Sequence, residues 1–554
     1  MDLSGAQLLV RLLENQGIET VAGIPGGAAL PLYDALAGSN RIRHVLARHE
    51  QGAGFIAQGM ARVSGKPHVC IGTSGPGATN LVTAIADAKL DSIPLVCITG
   101  QVSLPMIGTD AFQEVDTYGL SLPVTKHNYL VRDAATLPEI VTDAFRIAQS
   151  GRPGPVWIDI PKDVQSQPVS LKRLPDPATP EKTPAPDEAL LDQAARMIEQ
   201  ADRPILCLGG GVIASGAADL AVRFAEQMGI PTTMTLMALG AMPFDHPLSI
   251  GMLGMHGARY TNTILREADL LIVVGARFDD RAIGNSEKFC PEAEIIHIDI
   301  DASELDKIRT ADIGIRGDVR AVIDGLFPRV APRRRGKWLL RVEGLRDALP
   351  LRRPDLDDPR SPYGLIQAVA DCLGDDAVVV TDVGQHQMRV AQAYPFRRPR
   401  QWLTSGGLGT MGFGLPTAIG AALAEPNRKV VCFSGDGSFL MNIQEMATAA
   451  EEGVDVKVVL MNNRSLGLVH QQQELFYGQR IFAADYRKSP DFVTIANGFG
   501  WRAIDLDEVS KPRAALTDAL TRRGPGLIHC TVDARENVFP MVPPGAANTE
   551  MIGG

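Results

Sequence analysis

No run in the 554-residue chain approaches the roughly 18 consecutive apolar residues that a membrane-crossing helix needs. A basic N-terminal region and a cleavage site are also missing. The chain begins at once with an amphipathic pattern (Leu8, Leu9, Leu12, Leu13), so the expectation is a cytoplasmic protein without a membrane partner. Positive charge is in deficit: 54 Lys and Arg stand against 64 Asp and Glu, a formal charge of −10, which argues against nucleic acid and anionic membranes. The seven cysteines (70, 97, 207, 290, 372, 432, 530) are odd in number and show no metal spacing, and they read as buried thiols of a reducing compartment. Aromatic residues reach only 5%, whereas 45% of the chain is hydrophobic and 55 residues are glycine. That balance suits α/β domains packed from small side chains. The length exceeds one core, and three domains of roughly 150–200 residues are expected.

The most informative stretch is 429–467. An apolar, β-branched run (430–433) stops at Ser434-Gly435-Asp436-Gly437-Ser438. A helical pattern follows, with Phe439, Ile443, Met446 and Ala450 on one face. A second apolar run (456–461) then stops at Asn462-Asn463. Strand, turn, helix, strand places both polar turns beyond the carboxyl edge of a parallel sheet, where open α/β sheets bind ligands. Asp436 offers a carboxylate, Asn463 an amide oxygen and Ser465 a backbone carbonyl, which suits Mg²⁺. The glycines permit close backbone approach, and a helix N-terminus favours an anion. The same residues also fit a helix cap followed by an ordinary Asn-Asn turn.

Other strand ends carry polar groups. Residues 44–47 read as a strand ending in Arg48-His49-Glu50, before a small-residue helix with Ala53, Ile56, Ala57 and Met60 inward. Glu50 there can cap that helix or act chemically. Residues 68–72 read as a strand before the turn 73–80, and residues 93–100 as a buried strand before the aperiodic segment 108–116, a functional-loop candidate. In the middle of the chain Gly209, Gly211 and Ala214 fit G-x-G-x-x-A, but no acidic residue follows at the expected strand end. Strands ending near Gly275 and at Asp299 suit a dinucleotide lying across a sheet edge. The Gly-rich segment 406–414 is unsuited to a packed strand and implies close backbone approach to a ligand.

Gly-Asp-Gly-Ser followed by Asn-Asn after a strand resembles the thiamin-diphosphate (ThDP) motif of the ThDP-dependent enzyme superfamily. The segments RHEQGA, TSGPGATN, DSIPLVCITGQV, GTDAFQEVD, LGMHG, GARFDDR and HIDID resemble the acetohydroxyacid (acetolactate) synthase family within it, in unbroken order along essentially the whole chain. The resemblance implies three doubly wound parallel-sheet domains: a ThDP pyrimidine-binding domain (1–165), a linker (166–186), an FAD-binding middle domain (187–330), a second linker (331–362), and a ThDP diphosphate- and Mg²⁺-binding domain (363–554). It implies that Asp436, Asn463 and Ser465 hold Mg²⁺. It implies that Gly384, Gln385, His386, Gly409, Met411, Gly435 and Ser438 contact ThDP. Glu50 would be the acid that hydrogen-bonds the aminopyrimidine and assists removal of the thiazolium C2 proton. Arg152, His256, Arg277, Asp299 and Asp318 would contact a structural FAD. Phe112, Gln113, Met255, Arg281 and Gln472 would line the substrate pocket, Arg281 pairing with the carboxylate of the second 2-oxoacid. The alternative for Arg281 is a surface ion pair with Asp279 or Asp280.

The reaction so implied is a transferase step: decarboxylation of pyruvate, then condensation with a second pyruvate or with 2-oxobutyrate, at the head of branched-chain amino-acid biosynthesis. A homodimer or higher oligomer with its active site at the subunit interface is implied, and a small regulatory subunit by analogy. The rivals are a related pyruvate oxidase or decarboxylase, and a non-catalytic flavin-binding scaffold. Two positions depart from the family pattern. Gln472 stands where Trp is common, as in the enterobacterial isozyme I form, which argues against a preference for 2-oxobutyrate. Arg389 stands where Trp is expected after His-Gln-Met, and the sequence offers no account of it.

Overall fold

The computed structural model describes residues 2–553. Three six-stranded sheets, each wholly parallel, divide the chain. The first runs in the order Arg43–Leu46, Thr20–Gly23, His68–Gly72, Leu95–Gln101, Pro155–Pro161, His127–Leu130. The middle sheet runs Ser249–Met252, Thr232–Met234, Pro204–Leu208, Leu270–Val274, Glu294–Asp299, Ile313–Arg316. The third runs Trp402–Leu403, Val378–Thr381, Val430–Gly435, Val456–Asn462, Gly526–Thr531, Arg502–Asp505. The expected α/β class with three parallel sheets is therefore what the chain forms. Central strands such as Leu95–Gln101 and Val456–Asn462 are buried at every residue, as parallel strands covered on both faces must be. All seven cysteines are free, and only Cys372 is not fully buried.

The first and third domains share one core. Helix Glu50–Ser64 lies against helix Gly414–Ala424, and Phe55 meets Phe413 edge to face at 5.3 Å. The backbones approach so closely that a Cβ on Gly59 would lie 2.1 Å from the Thr417 carbonyl oxygen, and one on Gly420 1.9 Å from that of Ile56. Only glycine fits there, which ties the two domains into a fixed relation.

Three stretches differ from the sequence expectation. The helix expected after Asp436 is two short ones, Asp436–Leu440 and Glu445–Glu452. In the break between them Asn442 Nδ2 donates to the Gly412 carbonyl at 2.7 Å, which ties the Gly-rich segment down. The span 331–362, expected as a linker, contains helix Gly336–Ala348, which buries Trp338, Val342 and Leu345 against the middle domain. The span 166–186 contains strand Pro168–Ser170, paired antiparallel with Asp2–Ser4.

Candidate active site

The winding of the third sheet reverses between two neighbouring strands. Val378–Thr381 leads to Trp402–Leu403 on one side, and Val430–Gly435 leads to Val456–Asn462 on the other. Such a switch point opens a crevice at the carboxyl ends. A cavity of about 200 Å³ lies there. Gly384, Gln385 and His386 line it from one strand end, Gly435 and Ser438 from the second, Asn463 and Ser465 from the third. Gly409 and Met411 line it from the Gly-rich segment, so the residues expected around ThDP, Glu50 excepted, do converge.

The polar atoms around this cavity are incompletely paired. Asp436 is buried, and its Oδ1 has no hydrogen-bond partner among the described residues. Burial raises its carboxyl to about 6, against the pull of its own N–H and those of Gly437 and Asn463. Asn463 Nδ2 donates to Gln385 Oε1 at 3.2 Å, and its Oδ1 accepts the Ser465 N–H at 3.1 Å, leaving a second lone pair on that oxygen. His386 Nε2 is also buried and unpaired, and burial lowers the ring to about 3, so the imidazole is neutral at pH 7. Buried polar atoms without partners are rare in folded proteins. An orphan carboxylate oxygen and an amide oxygen with a spare lone pair are donors that suit a hard cation, and a neutral imidazole with an unpaired nitrogen can hydrogen-bond a phosphate oxygen. The residues fit a metal-bound diphosphate.

The segment that carries Gly409 and Met411 is held at both ends. At its far end the buried Asp382 accepts the N–H groups of Gly412 and Gly414, both at 2.9 Å. At its near end the grip comes from the first domain. Asp91 accepts from Gly406 and Gly407, and Asp87 accepts from Thr410 Oγ1 at 2.9 Å and from Ser405 Oγ. Arg62 spans both carboxylates, 3.0 Å from Asp87 and 2.8 Å from Asp91, and lies over the Phe413 ring at 4.8 Å. Burial and the neighbouring Asp91 push the Asp87 carboxyl up to about 6 despite Arg62. Sequence reasoning missed this clamp. Its signal is the pair Asp87 and Asp91, four apart, one in the last turn of an alanine-rich helix and the other its C-cap.

Glu50 lies elsewhere. It is the first residue of helix Glu50–Ser64, but the cap is His49, whose Nδ1 accepts the Gln51 N–H at 3.1 Å. The Glu50 carboxylate instead accepts from Asn80 Nδ2 at 2.9 Å, so it is free of a capping role. Gly75 in the turn before Asn80 has φ +57, and a Cβ there would lie 2.8 Å from the Gln113 carbonyl oxygen. Gln113 is itself at φ +60, an uncommon conformation for a residue with a side chain. Phe112 beside it is 89% exposed. Glu50, Asn80, Phe112 and Gln113 thus form one edge of the first domain, and Glu50 lines neither the 200 Å³ cavity nor a larger one of about 880 Å³.

That second cavity, about 880 Å³, opens where the three domains meet. Arg152, His256, Arg277, Asp299 and Asp318 all line it, as do Met255, Arg281 and Gln472. Arg152 is tied to Glu304 at 2.7 Å and Asp301 at 3.3 Å, and Asp318 caps helix Val319–Leu326. Burial holds the His256 ring near 4 and the Asp299 carboxyl near 6. Arg281 is 63% exposed, 3.6 Å from Asp280 and 3.7 Å from the Met255 sulfur. The surface ion pair is therefore present, yet it is loose and leaves most of the guanidinium free. The C-terminal segment closes this region, with the Val542 N–H on the Met255 carbonyl at 2.9 Å and the Pro540 carbonyl 3.2 Å from His256 Nδ1. Gly409 borders both cavities. Gly209 and Gly211, by contrast, are required by backbone contact with Gly275, which explains that motif without a phosphate.

Comparison with known proteins agrees with this layout. The N-terminal TPP binding domain of thiamine pyrophosphate enzymes matches residues 3–120, their central domain 191–326, and their C-terminal TPP binding domain 382–530. The chain is 63% identical over 551 residues to the acetolactate synthase isozyme 1 large subunit of Escherichia coli (strain K12), covering 99% of this chain and 98% of that protein. It is 47% identical over 550 residues to the isozyme 2 large subunit of the same organism, covering 99% of both. It is 45% identical over 556 residues to the acetolactate synthase large subunit of Lactococcus lactis subsp. lactis (strain IL1403), covering 99% and 96%.

Proposed function

The chain belongs to the thiamine pyrophosphate enzymes and, within them, to the acetolactate synthase large subunits, and on that premise we propose a role for each group of the site. The enzyme is a ThDP-dependent acetolactate synthase: it decarboxylates pyruvate and condenses the remaining two-carbon unit with a second pyruvate or with 2-oxobutyrate. ThDP, when bound, supplies the carbon nucleophile and electron sink that this chemistry needs. Asp436, Asn463 and the Ser465 carbonyl hold Mg²⁺, with Asp436 Oδ1 gaining the partner it lacks. His386, Gln385, Gly384, Gly435 and Ser438 receive the diphosphate, and the Gly409 carbonyl and Met411 amide receive the aminopyrimidine. Glu50, oriented by Asn80, exchanges a proton with the aminopyrimidine ring. Arg281 presents its free guanidinium to the carboxylate of the second 2-oxoacid, with Met255 and Gln472 shaping the space around it in the same chain and Phe112 and Gln113, which line neither cavity, reaching it from a second copy. FAD occupies the 880 Å³ cavity against Arg152, His256, Arg277, Asp299 and Asp318.

Two unpaired buried atoms at one small cavity, Asp436 Oδ1 and His386 Nε2, carry this reading, because a cation bearing a diphosphate gives both of them a partner at once. Glu50 does not line that cavity, which supports a homodimer in which Glu50 of one copy meets the Gly409–Met411 segment of another. Phe112 and, on the third domain, Phe482 (82% exposed) are surfaces that such a contact would cover. The proposed domains span 1–165, 187–330 and 363–554. A small regulatory subunit, suggested by the "large subunit" names of the relatives, and a cytoplasmic location are also proposed. No helix among the described residues is long and apolar enough to cross a membrane.

The test is complementation between two inactive variants. Glu50→Gln and Asp436→Ala, each inactive alone, are co-expressed with different affinity tags and the mixed dimers isolated. A shared site restores roughly half of wild-type turnover, because one of two sites in each hybrid is intact. Hybrids as inactive as either parent would overturn the shared site.

A further inference from the structure

Helix Gln385–Ala393 begins at the rim of the 200 Å³ cavity, and Arg389 sits one turn into it. Side chains on a helix lean toward its N-terminus, so Arg389 leans over the turn formed by Gln385 and His386. His386 and Arg389 are three apart and share a face, and both line the cavity. The Arg389 side chain is only 3% exposed. Its Nη2 donates to the Glu536 carbonyl, but its Nε is buried with no partner among the described residues. The nearest carboxylate, Glu536, is 3.9 Å away and 51% exposed. An arginine stays cationic in proteins, and a buried cation is retained at little cost only when an anion meets it. One long contact with a half-exposed carboxylate does not meet that need.

We propose that Arg389 is a ligand of the cofactor's diphosphate, a cation that this chain adds to the His386, Gly435 and Ser438 side of the cavity. The inference rests on the reading of that cavity as the diphosphate site. It goes beyond the family pattern, in which a tryptophan stands at this position and offers no charge. The diphosphate oxygens give the unpaired Nε and the cavity-facing part of the guanidinium charge-assisted hydrogen bonds, of the bidentate kind arginine makes with phosphate. The chemistry recognised is the doubly phosphorylated tail, so discrimination between ThDP and thiamin monophosphate is a direct readout.

The experiment titrates full-length apo-enzyme with ThDP and with thiamin monophosphate in Mg²⁺ by isothermal calorimetry, for wild type, Arg389→Met, Arg389→Lys and Glu536→Gln. For Arg389→Met, ThDP affinity is expected to fall about 10- to 100-fold. Its preference for ThDP over the monophosphate should shrink. Arg389→Lys keeps the charge but loses the bidentate fork and should recover only part of the affinity. Glu536→Gln removes the one carboxylate near Arg389 and should leave ThDP affinity equal or higher, an outcome that stands even if Arg389→Met does not fold. Unchanged ThDP affinity in a folded Arg389→Met, or weaker affinity in Glu536→Gln, would overturn the inference and leave the cavity's assignment intact. Wild-type protein that takes up no ThDP would overturn both.

Discussion

Asp91 and Gly407 lie 316 positions apart and are joined by a 2.7 Å hydrogen bond. The same carboxylate takes the Gly406 N–H at 3.2 Å and an Arg62 nitrogen at 2.8 Å. A side chain of the first domain thus sets where the third domain's Gly-rich segment begins, and with it the height of Gly409 and Met411. Asp91→Ala strands two backbone donors and removes one of two anions from a buried arginine, a change worth about 3–5 kcal/mol. A lower Tm is expected together with at least tenfold weaker ThDP binding by calorimetry. Undiminished ThDP binding would mean that the clamp does not position the segment.

Glu50 and its hydrogen bond to Asn80 lead to a second expectation. Glu50→Gln retains an oxygen that can accept from Asn80, so the turn 73–80 is preserved while proton exchange is lost. Turnover should fall by about 10²–10⁴ with ThDP affinity nearly unchanged. Wild-type-like kcat in steady-state assays would remove Glu50 from the chemistry.

The loop that bears Phe112 and Gln113 hangs from Gln101, whose Nε2 donates to Asp159 at 2.9 Å and to the Val115 carbonyl at 3.0 Å. Burial pushes the Asp159 carboxyl up to about 7, although Thr99 and Gln101 hydrogen-bond to it. The folded protein therefore keeps a proton that the unfolded chain loses from about pH 4 upward. Stability falls as pH rises through the window between about 4 and about 7, by up to about 1.4 kcal/mol per unit, and is flat from this cause above it. Asp159→Asn lacks the effect. The Tm advantage of wild type over the variant should be greatest near pH 4, shrink through pH 5 and 6, and be smallest near pH 8 by scanning calorimetry; a constant difference would contradict the assignment.

Gln472 lines the large cavity with Met255 and Arg281. A polar side chain there gives no apolar contact to the extra methyl of 2-oxobutyrate. Gln472→Trp should raise the fraction of 2-aceto-2-hydroxybutyrate formed from equal pyruvate and 2-oxobutyrate by about tenfold. An unchanged product ratio by chromatography would show that Gln472 does not set the preference.

Strand ends were the legible part of the chain. Val430–Gly435 and Val456–Asn462 are continuous apolar runs cut off by polar turns, so local patterning located Asp436 and Asn463 with the correct neighbours. Helix Gly336–Ala348 was hidden because its three buried positions, Trp338, Val342 and Leu345, are interleaved with Lys and Arg. The break after Leu440 was hidden because it answers a contact with Gly412, not a local breaker. The Arg62–Asp87–Asp91 clamp and the burial of Arg389 depend on partners more than a hundred positions away, which no local pattern reports.

The most direct test of the account is a product assay on purified protein given pyruvate, ThDP, Mg²⁺ and FAD. Acetolactate should form from pyruvate alone, with loss of one CO₂ per product, and should vanish when ThDP or Mg²⁺ is withheld. Acetaldehyde or peroxide in place of acetolactate would contradict the account.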